Sequence, residues 1–212
     1  MNATIYNKTL LYVGIEPPQI DSVRFIHVPL IRTVPLPRSS HPVQKILTAI
    51  ATTTHIIITS KTAASCFFDL AQVTNKTYIS IGKKTTSRLE FLGAKNILTA
   101  HYETQEGVID LIHTLNVTNP SFIWPHSTRS RATLIEFFQT HPCSLVASPL
   151  YETLFIQPEK PLPLDVVDGI FFSSPSTVHA FVAVHGFLPQ DKLLVAQGPI
   201  TQAAIDKFLI TK

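Results

Sequence analysis

The stretch HIIITSKTAASCFFDLAQVTNKTYISIGKKTTSRLEFLGAKNILT, residues 55–99, decides the fold. It opens on a short apolar run, HIIIT at 55–59, and carries two more, YISI at 78–81 and NILT at 96–99. Runs of this length and composition suit strands buried on both faces. Between them, first Ala63, Phe67, Leu70 and Ala71 and then Leu89 and Leu92 recur at helical spacing. Strand, helix, strand, helix, strand implies right-handed crossovers and a parallel sheet.

The pattern continues in both directions. Toward the C-terminus come the runs SFIW at 121–124 and SLVA at 144–147. Helical segments accompany them, carrying Val108, Leu111, Ile112 and Leu115, then Leu134, Ile135 and Phe138. Toward the N-terminus a helix is predicted over 42–51, with Ser40 as its cap and Pro42 in its first turn. LLYVG at 10–14 and RFIHV at 24–28 read as strands with almost no room for a helix between them. DGIFFS at 168–173 and LLVA at 193–196 read as strands, each followed by a helical segment. Two Pro-rich stretches, 29–42 and 148–163, separate these regions and contain the strand-like pieces IRTVPL and YETLFIQ. The chain is expected to leave a first α/β domain, build a second, and return. The first is discontinuous, 1–32 plus 158–212; the second is 41–147; 33–40 and 148–157 are linker strands.

An internal repeat supports two related halves. TSKTAASCFF, Thr59 to Phe68, lines up with SSPSTVHAFV, Ser173 to Val182. IGKKTT, Ile81 to Thr86, lines up with QGPITQ, Gln197 to Gln202. Few positions are identical, but the order repeats: strand, Ser turn, helix, strand, Gly turn, Thr, helix.

Composition excludes several classes. Apolar residues are 45% of the 212 and charged ones 15%, so the chain is globular, not disordered. Seventeen Lys and Arg against fourteen Asp and Glu give a net charge of +3, too weak to argue for nucleic acid. No apolar run is long enough to span a membrane, and the N-terminus lacks the pattern of a secretory signal, so a cytoplasmic protein is expected. Cys66 and Cys143 then read as reduced, buried thiols, and the Asn-x-Thr sequons at Asn2, Asn7, Asn75 and Asn116 as chance. The nine histidines show no close ligand spacing, so no metal is expected. Neither a Walker loop nor G-x-G-x-x-G occurs, which counts against a nucleotide cofactor.

Ligands of parallel α/β sheets sit at the carboxyl ends of the strands. Here those ends are Ser60, Gly82, His101–Glu103, Pro125–Ser127, Ser174 and Gly198. Turns that open helices there point backbone N–H groups and a positive dipole end outward. Ser60, Thr85, Ser127, Ser174 and Thr201 add hydroxyls; Lys61, Lys83, Lys84, Arg88, His126, Arg129 and Arg131 add basic groups; Glu103 and Glu106 are the nearby acids. The set suits a ligand with several negative groups. The plain alternative is that each Ser or Thr is an ordinary helix cap, worth about 1 kcal/mol, and each Lys or Arg a solvated surface charge. Nucleophile schemes fare poorly. Cys66 falls inside a helix beside Phe67 and Phe68, Cys143 has only His141 nearby in sequence, and no G-x-S-x-G elbow exists.

The residues resemble the uroporphyrinogen-III synthase family. The matching pieces are Pro29-Leu30-Ile31, Ile58-Thr59-Ser60 with Ala63, IGKKT at 81–85, SPLYET at 148–153, DGIFFSSPS at 168–176 and GPIT at 198–201, in family order over about residues 29–205. The resemblance implies two flavodoxin-like parallel-sheet domains joined by a two-stranded linker, with the site in the cleft. Three departures imply a trimmed first domain. Val13-Gly14-Ile15-Glu16 stands where the family has Thr-Arg, the first helix is missing, and the chain stops at Lys212 where the family adds a strand and helix. The implied activity needs no cofactor or metal. The linear tetrapyrrole hydroxymethylbilane is cyclised with loss of water and inversion of ring D, in haem biosynthesis. Tyr151 falls on the linker tyrosine implied to assist departure of the substrate hydroxyl. Ser60, Thr85, Ser174 and Thr201 resemble contacts to substrate carboxylates, and Lys61, Gly82, Ser127, Ser176 and Gly198 join them as substrate-binding candidates. For Tyr151 the alternative is packing, since Tyr151, Thr153 and Phe155 share one face of a linker strand. A monomer is expected, taking its substrate by transient handover from hydroxymethylbilane synthase, with no nucleic-acid or membrane partner. The rival reading is a non-catalytic tetrapyrrole- or anion-binding module of the same fold.

Overall fold

The computed structural model describes residues 5–73 and 75–210, so the Asn2 sequon lies outside the described residues. In chain order these form β1 (Thr9–Tyr12), β2 (Arg24–His27), β3 (Ile31–Pro35), α1 (His41–Ala49), β4 (His55–Ile58), α2 (Lys61–Leu70), β5 (Thr77–Ser80), α3 (Lys83–Phe91) and β6 (Asn96–Thr99). There follow α4 (Gln105–His113), β7 (Ser121–Ser127), α5 (Thr133–Thr140), β8 (Ser144–Phe155), β9 (Gly169–Phe172), α6 (Pro175–His185), β10 (Leu193–Ala196) and α7 (Pro199–Ile210). The chain divides into two compact units, Met1–Arg32 with Thr153–Lys212 and Thr33–Glu152.

The second unit, Thr33–Glu152, is built on a sheet of order β3-β8-β7-β4-β5-β6, and the register of β8-β7-β4-β5-β6 is parallel throughout. All four residues of β4 are buried, because helices cover both faces. Alternate residues go to opposite layers, as the two-residue period of a strand requires. Ile56 and Ile58 join Val43 and Ile46 of α1, Ala63 and Phe67 of α2 and Leu89 of α3. Ile57 joins Val108 and Ile112 of α4 and Leu134 and Phe138 of α5. A sheet so covered reads as uninterrupted apolar runs, which is why 55–59 carries the fold so plainly.

The first unit has a four-stranded parallel sheet of order β10-β9-β1-β2. Its helices cover one face only: Leu11, Ile170 and Phe172 pack with Val178 and Phe181 of α6 and Ile205 of α7. Among the described residues no helix lies between β1 and β2. The opposite face is closed by rings instead. Tyr12, Phe25 and Phe171 meet at centroid distances of 5.6–6.1 Å, with Ile5, Ile20 and Val23 around them. Ser60 and Ser174 therefore follow strands of different sheets.

Two local expectations differ. The run 144–147 and the linker strand after it form one unbroken strand, β8, reaching Phe155. Ser40 is the N-cap residue of α1 but its hydroxyl makes no cap bond, whereas Ser60 and Thr104 accept the N–H three residues on; Pro42 removes one of the two N–H groups that such a hydroxyl could accept from.

Gly169 lies where β9 pairs with Leu10 of β1 and Leu193 of β10, and a Cβ there would stand 2.3 Å from the carbonyl oxygen of Leu193. Strand backbone cannot give way as a side-chain tip can. Gly169→Ala is expected to destabilise the protein by about 1–3 kcal/mol, the cost of overpacking, seen as a lower urea midpoint. A midpoint unchanged from the parent would show that the β9–β10 pairing is looser than this register.

Candidate functional site

Two strand ends of the second unit and the interior of a third strand come together. After β4, Ser60 has extended backbone and starts α2, its Oγ accepting the N–H of Ala63 at 2.9 Å. β7, the neighbouring strand, ends on an irregularity between His126 and Ser127 that brings Ser127 opposite Tyr151 of β8. The N–H of Thr128 donates to the Tyr151 carbonyl at 3.0 Å and fixes that register. From β8 the Tyr151 phenol reaches the far side of β7, where its Oη lies 3.0 Å from Ser60 Oγ. Tyr151 is 6% exposed. Burial pushes its pKa up, against a smaller pull downward from the Ser60 hydroxyl. The phenol is thus held in its neutral form, with its hydroxyl paired to that of Ser60.

On the opposite face of the sheet from Tyr151, an aromatic side chain holds the residue before Ser60. Trp124 is fully buried, and its Nε1–H donates to Thr59 Oγ1 at 3.2 Å. The His126 ring packs on it, tilted by 35° with centroids 4.5 Å apart, and donates Nδ1–H to the Ser127 carbonyl at 2.8 Å. Burial pulls the His126 pKa down, with Lys45 acting in the same direction, so the ring is neutral at neutral pH. Ser127 Oγ accepts the N–H of Arg129 at 3.3 Å.

The two glycine turns share one geometry. The carbonyl of Gly82 accepts the N–H groups of Thr85 and Thr86, both at 3.0 Å, and the carbonyl of Gly198 accepts those of Thr201 and Gln202, both at 3.0 Å. Thr85 and Thr201 are buried, 5% and 4% exposed. At the Gly82 turn the N–H of Lys83 donates to Glu103 Oε1 at 3.1 Å. Lys61 is the first residue of α2, and Lys83 and Lys84 open α3, all with exposed side chains. Two of the basic residues expected at the turns are held elsewhere. Arg131 makes a two-pronged bond to Glu106, 2.7 and 3.1 Å, and keeps that carboxyl at about 2. Arg88 belongs to the last turn of α3, bonding Ser65 at 3.0 Å and lying over the Phe91 ring.

In the first unit, Ser174 has extended backbone ahead of α6. Its N–H donates to Thr177 Oγ1 at 3.3 Å, and that hydroxyl donates to the Ser174 carbonyl at 2.7 Å. Ser176 is half-buried in the first turn of the same helix. A second tyrosine, not singled out by sequence, ends β1. Tyr12 hydrogen-bonds the Ser173 hydroxyl and packs on His27, whose Nε2–H donates to the Gly14 carbonyl at 2.8 Å. Its only sequence signal is its place at the end of an apolar strand. A cavity of about 350 Å³ lined by Asn7, Lys8, Thr9, Ser22, Val23 and Arg24 lies at the other, amino-terminal ends of β1 and β2. Among the described residues no three His, Cys, Asp or Glu gather as metal ligands, and no helix is long and apolar enough to cross a membrane.

Two parallel-sheet units whose strand ends carry hydroxyls and glycine turns define a two-part α/β protein. The family model described as uroporphyrinogen-III synthase HemD matches residues 21–212, and the chain belongs to that family of cyclising tetrapyrrole-biosynthesis enzymes. Among solved structures, it is similar to a mutant uroporphyrinogen III synthase from Thermus thermophilus at 13% identity and TM-score 0.64, covering 96% of this chain and 90% of that one. It is similar to the uroporphyrinogen-III synthetase of Helicobacter pylori at 15% identity and TM-score 0.63, with the same coverage. No curated protein sequence matches the chain.

The Ser60–Tyr151 bond sets a stability prediction. Ser60→Ala removes a helix cap, worth about 1 kcal/mol, and leaves a buried phenol unpaired, so it should cost about 2 kcal/mol in urea denaturation. Tyr151→Phe leaves the cap intact and should cost about 1 kcal/mol or less. Because burial raises the Tyr151 pKa, its contribution is complete below the ordinary tyrosine value and is lost as pH rises through the higher folded-state value. The parent should therefore lose more stability than Tyr151→Phe above about pH 10; equal losses would mean the phenol ionises freely.

Proposed function

We propose that the chain converts hydroxymethylbilane to uroporphyrinogen III with Tyr151 as its general acid. The observation that carries this is the 3.0 Å contact between Tyr151 Oη and Ser60 Oγ in a nearly closed environment. In the proposed sequence the phenol gives its proton to the terminal hydroxyl of the substrate, which leaves as water. The remaining azafulvene is attacked by the far pyrrole ring at its substituted carbon. The resulting spiro intermediate fragments and recloses with that ring inverted, and loss of a proton restores the aromatic pyrrole. Ser60 stabilises the transient phenolate by hydrogen bonding until the proton returns. Unaided closure gives the uninverted isomer, so the protein's main contribution is holding reacting carbons in place and keeping water from the azafulvene.

The substrate's carboxylates engage the strand-end turns. In the second unit these are Ser60 with Lys61, Gly82 with Thr85, and Ser127; in the first they are Ser174 with Ser176, and Gly198 with Thr201. Backbone N–H groups at the starts of α2 and α3 favour anions in the second unit, while α6 and α7 begin on Pro175 and Pro199 and offer fewer such groups. The chain works in this reading as a cytoplasmic monomer, and the instability of its substrate favours transient handover from hydroxymethylbilane synthase. One observation favours a second reading, a non-catalytic tetrapyrrole-binding module: the first unit lacks a helix between β1 and β2.

The test is a coupled assay with hydroxymethylbilane synthase that scores type III against type I isomer. The parent should form type III. Tyr151→Phe should lower its rate by about 10²–10⁴, the range of general-acid assistance. Thr85→Ala and Thr201→Ala should each lower it by no more than about tenfold, one ordinary hydrogen bond among many. Ser60→Ala should fall between, since it loses a contact and also frees the phenol. Turnover by Tyr151→Phe within about twofold of the parent, far below that range, would make Tyr151 a packing residue. A parent that binds the tetrapyrrole but leaves only type I product would establish the binding module.

A further inference from the structure

Two histidines distant in the chain meet where two helices of the second unit end. His113 lies in the last turn of α4, and His141 is the residue that closes α5. Their Nε2 atoms stand 3.2 Å apart in an exposed position. Phe137 of α5 orients both rings. It packs on the His141 ring at 3.8 Å, tilted by 34°, and meets the His113 ring edge to face at 5.2 Å. The other ring nitrogen of His141, Nδ1, lies 3.0 Å from the Phe137 carbonyl. A carbonyl only accepts, so Nδ1 carries the hydrogen and Nε2 presents a lone pair. His113 therefore donates its Nε2–H to that lone pair. After each helix the chain turns back to enter a strand, β7 at Ser121 and β8 at Ser144. The pair thus sits at the amino-terminal edge of the sheet, opposite the edge that carries Ser60.

We propose that His113 and His141 form a two-imidazole site for a divalent transition metal of the zinc, nickel and copper class. Three features point to such a cation. The first is spacing. With metal–nitrogen bonds of about 2.0–2.1 Å, two ligands stand about 2.9 Å apart at a right angle and about 3.4 Å apart at a tetrahedral one. The two Nε2 atoms fall between these limits. The second is the Nδ1–H bond to a backbone carbonyl, the arrangement that fixes an imidazole for a metal and raises its basicity. The third is the meeting of two helix C-termini, whose unpaired carbonyls and negative dipole ends favour a positive charge. On binding, the metal replaces the hydrogen between the rings. His113 releases its Nε2 hydrogen to water and takes one on Nδ1, so it stays neutral and both lone pairs face the cation. Among the described residues no third His, Cys, Asp or Glu joins the pair, so water completes the coordination. The metal then clamps the ends of α4 and α5, the two helices that cover Ile57. None of this depends on the proposed action on hydroxymethylbilane.

The test is calorimetric titration of the untagged full chain with Ni²⁺, a cation that favours imidazole nitrogen. The parent should bind one Ni²⁺ per chain. His113→Asn and His141→Asn should each lower the affinity at least about tenfold, because either change leaves a single imidazole where two had chelated. His185→Asn removes an imidazole from the last turn of α6 and should bind as the parent does. Mg²⁺ takes oxygen ligands and should give no binding heat at the same concentration. Excess Ni²⁺ should also raise the melting temperature of the parent and leave that of the two site variants unmoved. Each variant is compared with itself, so a lower starting stability does not blur the reading. A loss below tenfold in either site variant, an equal loss in His185→Asn, or an equal response to Mg²⁺ overturns the proposal. So does a parent that takes up no Ni²⁺, and the pair is then a hydrogen bond between packed rings and nothing more.

Discussion

Burial of β4 on both faces is the constraint from which the rest of the second unit follows. With Ile56 and Ile58 committed to one helical layer and Ile57 to the other, the strand has no polar side to show solvent. Its chemistry is confined to its end, where the chain turns into α2 and Ser60 must satisfy the first N–H groups of that helix. The neighbouring strands obey the same rule. The site is therefore a row of strand ends, into which Tyr151 is delivered from within β8 rather than from a turn.

That delivery depends on a defect in the ladder. A regular β7–β8 register would continue the pairing of His126 with Pro149 by one residue on each strand. The irregularity after His126 sets Ser127 against Tyr151 instead, and the Thr128 N–H bond to the Tyr151 carbonyl holds it there. Such irregularities re-aim side chains at the margins of sheets, and this one aims a phenol at a serine hydroxyl. The first unit pairs a tyrosine with a serine too, Tyr12 with Ser173, but there the ring belongs to an aromatic layer that replaces missing helical cover.

The parallel strands and the helices between them were legible in the residues, because apolar runs and helical spacing report directly on burial, though the continuity of β8 from Ser144 to Phe155 was not. The absence of a helix between LLYVG and RFIHV was equally legible from the shortness of the segment. Contacts between residues distant in the chain were not. Ser60 and Tyr151 are 91 positions apart, and only the sheet order β8-β7-β4 makes them neighbours. Glu103 was visible as an acid at a strand end, but its seat on the Lys83 N–H depends on the third dimension. The failed Ser40 cap had no signal in the residues, since the N–H of Val43 was available to it as that of Ala63 is to Ser60.

The single tryptophan of the chain is Trp124, wholly inside the second unit and bonded to the residue before Ser60. Its emission is consequently a private signal of that unit. Unfolding of the first unit, whose rings are tyrosine and phenylalanine, would pass unseen at wavelengths that excite indole alone. The His126 ring packed on it gives the same fluorophore a quencher whose strength follows its protonation. Light from one residue thus reports both the integrity of the sheet beneath Ser60 and the ionisation of the ring beside it, without any added label.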